Sequence, residues 1–407
     1  MRGRFMNYIS LFSSAGVGCY GFKMEGFDCI ATSELIERRM NVQRANNKVR
    51  SDDGYIVGDI TEHSNRIKLY SVVERYLKCE RIDDVDVVIF TVPCQGMSVA
   101  NHKKNKETIK QNSLVIDALD IVTQIRPKFF VAENVRAFMT TKCIDNGTEK
   151  KIEQAFQDWV GNEYNYEARV INFKDFGANS SRTRTLVIGV RKDLSSPHEP
   201  GAFFPGREAP KTLRAVIGGL PQLQDMGQIH ENDIYHSFKK YRDDMRDWIR
   251  DVKQGQSAFD NNNPLLRPHT KSKTGEITPN VNKNGDKYKR QLWDEVAPCI
   301  HTRNDIMASQ NTVHPLDDRV FSIRELMLMM NIPGSFKWSK QEMCYLNSMT
   351  EKQKESYLKE HEMNIRQSIG EAIPTVIIQK IANNIKKALV NERKTTTNNY
   401  KKLQCTA

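Results

Sequence analysis

The apolar positions in the first half of the chain fall into short blocks set between longer amphipathic stretches. "NYISLFSS", "FDCIATSEL", "GYIVGDIT", "DVDVVIFTV", "PKFFVAENV" and "RTLVIGVR" each read as a strand. Between them lie helical patterns such as "NSLVIDALDIVTQI", which places Leu114, Ala118, Ile121, Val122 and Ile125 on one face. Strands alternating with helices predict an α/β fold, a doubly wound and mostly parallel sheet. Ligands of such sheets bind beyond the carboxyl ends of the strands.

The pattern changes after Arg191. From Leu194 to Asp318 the text is polar and rich in Asn, Lys, Gly and Pro, as in "DNNNPLLRPHTKSKTGEITPNVNKNGDKYKR". It predicts an inserted, loop-rich second domain. Regular patterning then returns. "FSIRELMLMM" predicts a short helix, and "AIPTVIIQKIANNIKKAL" a helix after Pro374 that buries Ile377, Ile378, Ile381, Ile385 and Leu389. The polar end "NERKTTTNNYKKLQCTA" is expected to be a disordered tail. The expected division is therefore 1–193, an inserted domain at 194–318, a return segment at 319–390 and a tail at 391–407.

Composition narrows the classes. No apolar run approaches the roughly 20 residues that span a bilayer, and the apolar patch near the N-terminus is soon broken by Ser and Gly, so a cytosolic protein is expected. The eight cysteines (19, 29, 79, 94, 143, 299, 344 and 405) form no C-x-x-C pair, so neither a zinc site nor a disulfide framework is indicated. A net charge of +11 favours a polyanionic partner without proving one.

Four places carry candidate chemistry. In "SLFSSAGVGCYGF" a strand runs into Gly16-Val17-Gly18, where glycine lets the backbone approach a ligand; a plain tight turn reads equally well. Glu34 ends the second strand candidate and Asp59 the third. Each acid alone suits a solvated loop, but together with the glycines they suit a nucleoside-bearing cofactor. Pro93-Cys94-Gln95 follows the fourth strand candidate, where proline ends the ladder and holds the cysteine at the sheet edge. A buried structural thiol is the competing reading, while Lys103, Lys104 and Lys106 would favour a thiolate. Glu133-Asn134 ends "PKFFVAENV", where a partly desolvated carboxyl would suit proton donation and a helix N-cap competes. Arg182 and Arg184, two apart in "NSSRTRTLVIGV", would share a strand face and seek anions or carbonyl oxygens.

These sites, in this order, resemble the cytosine-C5 DNA methyltransferases of the bacterial restriction-modification type. "FSSAGVG" is similar to the first cofactor motif of that family, "TVPCQGMS" to its Pro-Cys motif, "AENV" to its Glu-Asn-Val motif and "SRTR" to its Gln-x-Arg-x-Arg motif. "HPLDDRVFSIRELMLMMNIPGSF" resembles the segment after the target-recognition domain, and "RQSIGEAIPTV" the last motif. The chain departs from the family pattern at Ser14, where glycine is usual, at Ser180 for Gln, at Glu371 for Asn, and at Gln111 near a usual Arg.

The resemblance implies a Rossmann-like S-adenosylmethionine-dependent methyltransferase sheet with residues 194–318 as target-recognition domain. It implies that Cys94, between Pro93 and Gln95, adds to C6 of a flipped cytosine under a mobile basic loop from Gly96 to about Asn112. Glu133 would meet the N3 edge and the exocyclic amine, with Asn134 orienting it, Arg184 would bond O2, and Arg182 would face phosphate or the catalytic loop. S-adenosylmethionine would use Glu34 for the ribose, Asp59 and Ile60 for adenine, and Phe12 with Ala15, Gly16, Val17 and Gly18 for the methionine end. Leu35, Pro93, Glu371 and Ala372 complete that set. The implied partners are double-stranded DNA and a cognate restriction endonuclease; a monomer is expected, with neither metal nor membrane. Other readings stand beside this one: an RNA methyltransferase of the same fold, whose Cys-Phe-Thr signature is absent from the text, a catalytically dead DNA-binding relative, and a nicotinamide-dependent dehydrogenase.

Overall fold

A computed structural model describes residues 6–93, 109, 111–194, 199–282 and 285–405. The chain forms two compact units. One comprises Met1–Asn172, Thr183–Arg207 and Thr375–Ala407; the other comprises Phe173–Arg182 and Glu208–Pro374.

The first unit is built on a seven-stranded sheet. Its strands are β1 (Met6–Leu11), β2 (Phe27–Glu34), β3 (Tyr55–Val57), β4 (Val87–Phe90), β5 (Phe129–Val135), β8 (Tyr164–Asn172) and β9 (Thr183–Arg191), in the order β3-β2-β1-β4-β5-β9-β8. The first five are parallel, while β9 runs antiparallel to both β5 and β8. Leu11 pairs with Phe90, and Phe90 with Ala132, so β1 and β4 end at one level while β5 runs on for three residues beside β9. At their other ends a polar lock sets the register. The Asn7 amide donates to the Asp86 carboxylate (3.1 Å), the Asp86 amide donates to Asn7 Oδ1 (2.9 Å), and Lys128 Nζ reaches Asp86 at 3.0 Å from the next strand.

Helices cover the sheet as the amphipathic patterns require. The helix Leu114–Ile125 buries Val115, Ala118, Leu119, Ile121 and Val122, with Leu114 and Ile125 only half-buried at the rim of the predicted face. The helix α1 (Tyr20–Met24) meets the C-terminal helix (Thr375–Cys405) so closely that a Cβ on Gly21 would lie 2.4 Å from the Gln379 main-chain nitrogen. The predicted apolar face of that helix, Ile377, Ile378, Ile381, Ile385 and Leu389, is buried.

Several expectations need correction. The polar end from 391 on, expected without structure, continues the helix to Cys405. The strand β8 was not visible in the apolar pattern, because Tyr164–Asn172 is buried at its first residue and half-buried or exposed thereafter, as befits a sheet edge. A small hairpin, β6 (Lys142–Asp145) with β7 (Thr148–Lys151), turns on Asn146-Gly147, both at positive φ (47° and 80°). The second unit is not 194–318. Residues 199–207 belong to the first unit, where Phe203 packs edge-on against Phe129. Conversely, the segment from 319 to Pro374 belongs to the second unit.

The reason lies in a buried ionic knot. Arg319 donates to both carboxylate oxygens of Glu325 at 2.7 Å and also reaches Asp317. Glu325 and Ser322 cap the helix Ile323–Met329 reciprocally, and Ser322 bonds His236 on the short strand Asp233–Ser237 at 3.0 Å. Breaking such a knot by removing one partner would leave a buried charge uncompensated. Burial works against the charged Glu325 carboxylate, but the Arg319 guanidinium outweighs it and holds the group down at about 2. Burial pushes the His314 imidazole down to about 4, against the pull of Glu325. His314 Nδ1 accepts the amides of Leu316 and Asp317, which the neutral ring alone can do.

This knot makes the second unit acid-sensitive. An unfolded histidine takes up its proton near pH 6.5, the folded one only near pH 4. Between those values the unfolded chain binds more protons, so stability falls as pH falls, by up to about 1.4 kcal/mol per pH unit for one group. Glu325 adds a further loss below about pH 4.5. Denaturant unfolding of His314→Asn across pH 4 to 7 should show this slope reduced; a slope identical to that of the parent chain would sink the assignment.

Candidate active site

The carboxyl ends of the parallel strands gather most of the polar residues singled out in the sequence. Glu133, on β5, is 7% exposed, and its Oε1 lies 3.3 Å from Nε of Arg184 on the neighbouring antiparallel strand β9. Arg184 is half-buried and also donates to the Thr183 carbonyl at 2.8 Å. Next along β5, buried Asn134 turns its amide back. Its Nδ2 donates to the Val92 carbonyl at 2.9 Å, and its Oδ1 accepts the Val135 amide at 2.8 Å. Asn134 thus grips the peptide immediately before exposed Pro93, rather than orienting Glu133 as expected. Thr91 makes a second tie, donating to the Phe12 carbonyl at 2.9 Å. Cys94, Gln95 and the basic loop with Lys103, Lys104 and Lys106 lie outside the described residues.

The turn after β1 is unusual in its backbone. Phe12, Ser14 and Gly16 all take positive φ, at 53°, 47° and 77°. Two of them carry side chains, and for such residues this conformation is strained. Ser14 therefore adopts the glycine-like backbone of the position it occupies. Ala15, Val17 and Gly18 are buried behind the turn. Glu34, 5% exposed at the end of β2, accepts the Ser14 amide on one carboxylate oxygen (2.7 Å) and the Ile36 amide on the other (3.0 Å). Arg39 stands 3.7 Å from it. Leu35 beside it is 66% exposed.

Asp59 follows β3 and is exposed, with Oδ1 accepting the Thr61 amide at 2.9 Å, while Ile60 is buried. Two side chains from the first turn of the helix His63–Glu80 hold this bend: Asn65 donates to the Asp59 carbonyl (2.9 Å) and Arg66 to the Ile60 carbonyl (3.2 Å). Arg66 also pairs with Asp117 and Asp120. Burial pushes the Asp117 carboxyl up, with Arg66 opposing.

Arg182 is not paired with Arg184. It belongs to the second unit, is 4% exposed, and donates to the carbonyls of Ile300 (3.2 Å), Gly370 (3.1 Å) and Glu371 (3.3 Å). The expected shared strand face fails because β9 begins only at Thr183. Exposed Glu371 and buried Ala372 also fall in the second unit.

The sequence reading missed Gln43. It is the one polar residue buried with Met40 and Val42 in the helix Glu37–Ala45, and its Nε2 donates to the Ser14 carbonyl at 2.6 Å. In the sequence it stands three residues after Met40, a spacing that puts both on one helix face and is its only signal.

The arrangement suits acid–base work on a flat polar group held at the sheet edge. A carboxyl and a guanidinium stand side by side, one residue from an amide that fixes the peptide before Pro93. Among the described residues, no cluster of three metal-ligating side chains exists and no helix is long and apolar enough to cross a membrane.

Comparison with known proteins places the chain in a family. The chain matches the family model for C-5 cytosine-specific DNA methylase over residues 6–387. It is 27% identical over 391 residues to the Type II methyltransferase M1.HgaI of Avibacterium volantium, covering 93% of this chain and 97% of that one. It is 25% identical over 404 residues to the Type II methyltransferase M.DdeI of Desulfomicrobium norvegicum, covering 93% and 88%. Among solved structures, a DNA modification methyltransferase encoded within an E. coli prophage superposes with a TM-score of 0.64 at 17% identity, covering 94% of this chain and 99% of that chain. The S. pombe Dnmt2 methyltransferase superposes with a TM-score of 0.57 at 12% identity, covering 94% and 99%; these two likenesses speak for the fold. With a family match running from β1 into the C-terminal helix, the chain belongs to the C-5 cytosine-specific DNA methylases and is a DNA (cytosine-5)-methyltransferase.

Proposed function

We propose that the chain methylates cytosine at one specific sequence of double-stranded DNA, by addition of Cys94 to C6 of a base turned out of the helix. S-adenosylmethionine is the methyl donor in this reading, and protection of DNA against a partner endonuclease is the biological role. The observation that carries it is the pairing of Glu133 with Arg184 beside the Asn134–Val92 tie, one residue before Pro93-Cys94. The Type II methyltransferases among its relatives support the restriction-modification role.

Each side chain has a task that follows from its chemistry. Cytosine C5 is a poor nucleophile, and thiolate addition at C6 turns the ring into an enamine. Glu133 shares its proton with N3 as the sulfur adds, so negative charge does not accumulate on the ring. Arg184 aligns Glu133 from the neighbouring strand and offers the cytosine O2 its remaining donors. Asn134 fixes the Val92 carbonyl, two positions before Cys94 in the chain. After C5 has been substituted, loss of the C5 proton lets the thiolate leave.

The cofactor side fits the same reading. Each oxygen of Glu34 accepts one main-chain amide, and a carboxylate oxygen can take a second donor such as a ribose hydroxyl. Exposed Leu35 and Asp59 at the neighbouring strand ends suit a purine face and its amino group. S-adenosylmethionine would supply the electrophilic methyl group; Glu34, Asp59, Ile60 and the turn from Phe12 would hold it. The polar region within 194–318 would read the DNA sequence through phosphate and base-edge contacts.

Three outcomes are expected. DNA carrying 5-fluorocytosine at the target should form an adduct with the enzyme that survives denaturing electrophoresis, requires S-adenosylmethionine, and disappears in Cys94→Ser; an adduct mapped elsewhere, or none from an active enzyme, overturns the mechanism. Glu34→Ala should weaken S-adenosylmethionine binding by about tenfold or more, since a charge-assisted bond contributes about 1.5–3 kcal/mol; unchanged calorimetric affinity would refute the cofactor assignment. Asn134→Ala should lower kcat by about a hundredfold, the scale of an ångström's misplacement, with cofactor affinity retained. A fall in cofactor affinity with kcat intact would instead place Asn134 outside the catalytic geometry.

A further inference from the structure

We infer that Gln43 is a positioning residue for the cofactor turn, holding Ser14 in a backbone conformation its side chain disfavours. The inference rests on the reading of that turn as the S-adenosylmethionine cradle. Ser14 sits at φ 47° between Phe12 at 53° and Gly16 at 77°. Left-handed backbone at a residue with a Cβ persists only where its surroundings over-determine it. Here both main-chain polar groups of Ser14 are held. Its amide donates to Glu34 at 2.7 Å and its carbonyl accepts Gln43 Nε2 at 2.6 Å. The same Nε2 donates to Ser13 Oγ at 2.7 Å, and Gln43 Cγ stands 3.1 Å from where a Cβ on Gly16 would lie. One side chain thus underlies three residues of the turn, Ser13, Ser14 and Gly16.

The orientation of the Gln43 amide is determined by its partners. Lys48 Nζ lies 2.9 Å from Oε1, and an ammonium only donates. The Ser14 carbonyl only accepts. Oε1 must therefore face Lys48 and Nε2 must face the turn. Lys48 also donates to Thr32 Oγ1 at 2.9 Å, and Thr32 lies 2.8 Å from Oε1, so the network closes on β2. Gln43 is 1% exposed, which shields these bonds from exchange with water. The chain Lys48–Gln43–Ser14 transmits the rigidity of β2 and its following helix into the turn that would meet the cofactor.

Double-mutant logic tests this. Gln43→Glu keeps the side-chain shape and the acceptor facing Lys48 but removes the donor to Ser14. Calorimetry with S-adenosylmethionine on the full chain should show at least tenfold weaker binding for Q43E, and KM for the cofactor should rise more than kcat falls. Ser14→Gly removes the strain that Gln43 holds in check, so in the S14G background the same Q43E change should cost threefold or less. K48M, which frees the amide orientation, should weaken binding by a smaller factor and be relieved by S14G in the same way. Melting temperatures report whether each variant folds, and K48M serves where Q43E does not. Equal losses from Q43E with and without S14G would overturn the inference, as would undiminished affinity in Q43E alongside a clear loss in E34A. Undiminished affinity in E34A would instead fault the cradle reading itself, and the role of Gln43 would fall with it.

Discussion

The common register of the parallel strands is the constraint on which the rest of the site depends. Leu11, Phe90 and Ala132 pair across three strands, so Phe12 and Thr91 leave the ladder at the level where β5 goes on to Glu133 and is paired only with β9. A slip of one residue would flip every side chain on a strand to the opposite face. The lock among Asn7, Asp86 and Lys128 prevents that slip at the far end of the same strands. A polar group buried there without its partner would be costly, so the correct register is also the one that satisfies all three. Strand polarity then assigns the duties. The amino ends carry groups that satisfy one another, and the carboxyl ends carry groups with hydrogen-bonding capacity to offer a ligand.

The antiparallel strand β9 completes what a purely parallel sheet would not provide. Running the other way beside β5, it brings its first residues to the carboxyl end of β5, with Arg184 opposite Val135. That is how Arg184 comes within 3.3 Å of Glu133, although 51 positions separate them along the chain. The guanidinium is planar and permanently charged, so it can hold a carboxylate from one side and still donate from its other nitrogens. Arg182, two residues earlier, has a different environment and a different duty. Three main-chain carbonyls take up its donors in the second unit, and their convergence explains why arginine suits the position.

What could be read in advance follows from the physics of each signal. The five parallel strands and the C-terminal helix were legible because each buries a continuous apolar face, and Ile377, Ile381 and Ile385 are fully buried. Glu133-Asn134 at the end of β5 stood out because it interrupts an apolar run with groups that are costly to bury. The strand β8 was not, since only Tyr164 in it is buried. The division into units was misplaced for a similar reason. Arg319, Asp317 and Glu325 look like surface charges in the text, yet they form the buried knot that binds the segment after 318 into the second unit. Burial of a charge cannot be seen in composition when its partners are scattered along the chain. Gln43 escaped notice likewise, because its importance lies in the backbone angle of a residue 29 positions away.

Asn134 shows how tightly such a strand end restricts its own sequence. The side chain must donate to the Val92 carbonyl and accept from the Val135 amide, at 2.9 and 2.8 Å. A carboxylate could accept from the amide but would set a charge against the carbonyl oxygen. A hydroxyl could offer one proton and one lone pair, but from a shorter arm. Glutamine carries both functions with an extra methylene, and the peptide before Pro93 would have to move to meet it. The amide of asparagine supplies donor and acceptor at the required reach, with no charge to desolvate at a buried site. The residue next to Glu133 is therefore set by the need to immobilise a neighbouring strand, and in the proposed mechanism its effect on the substrate passes through that strand.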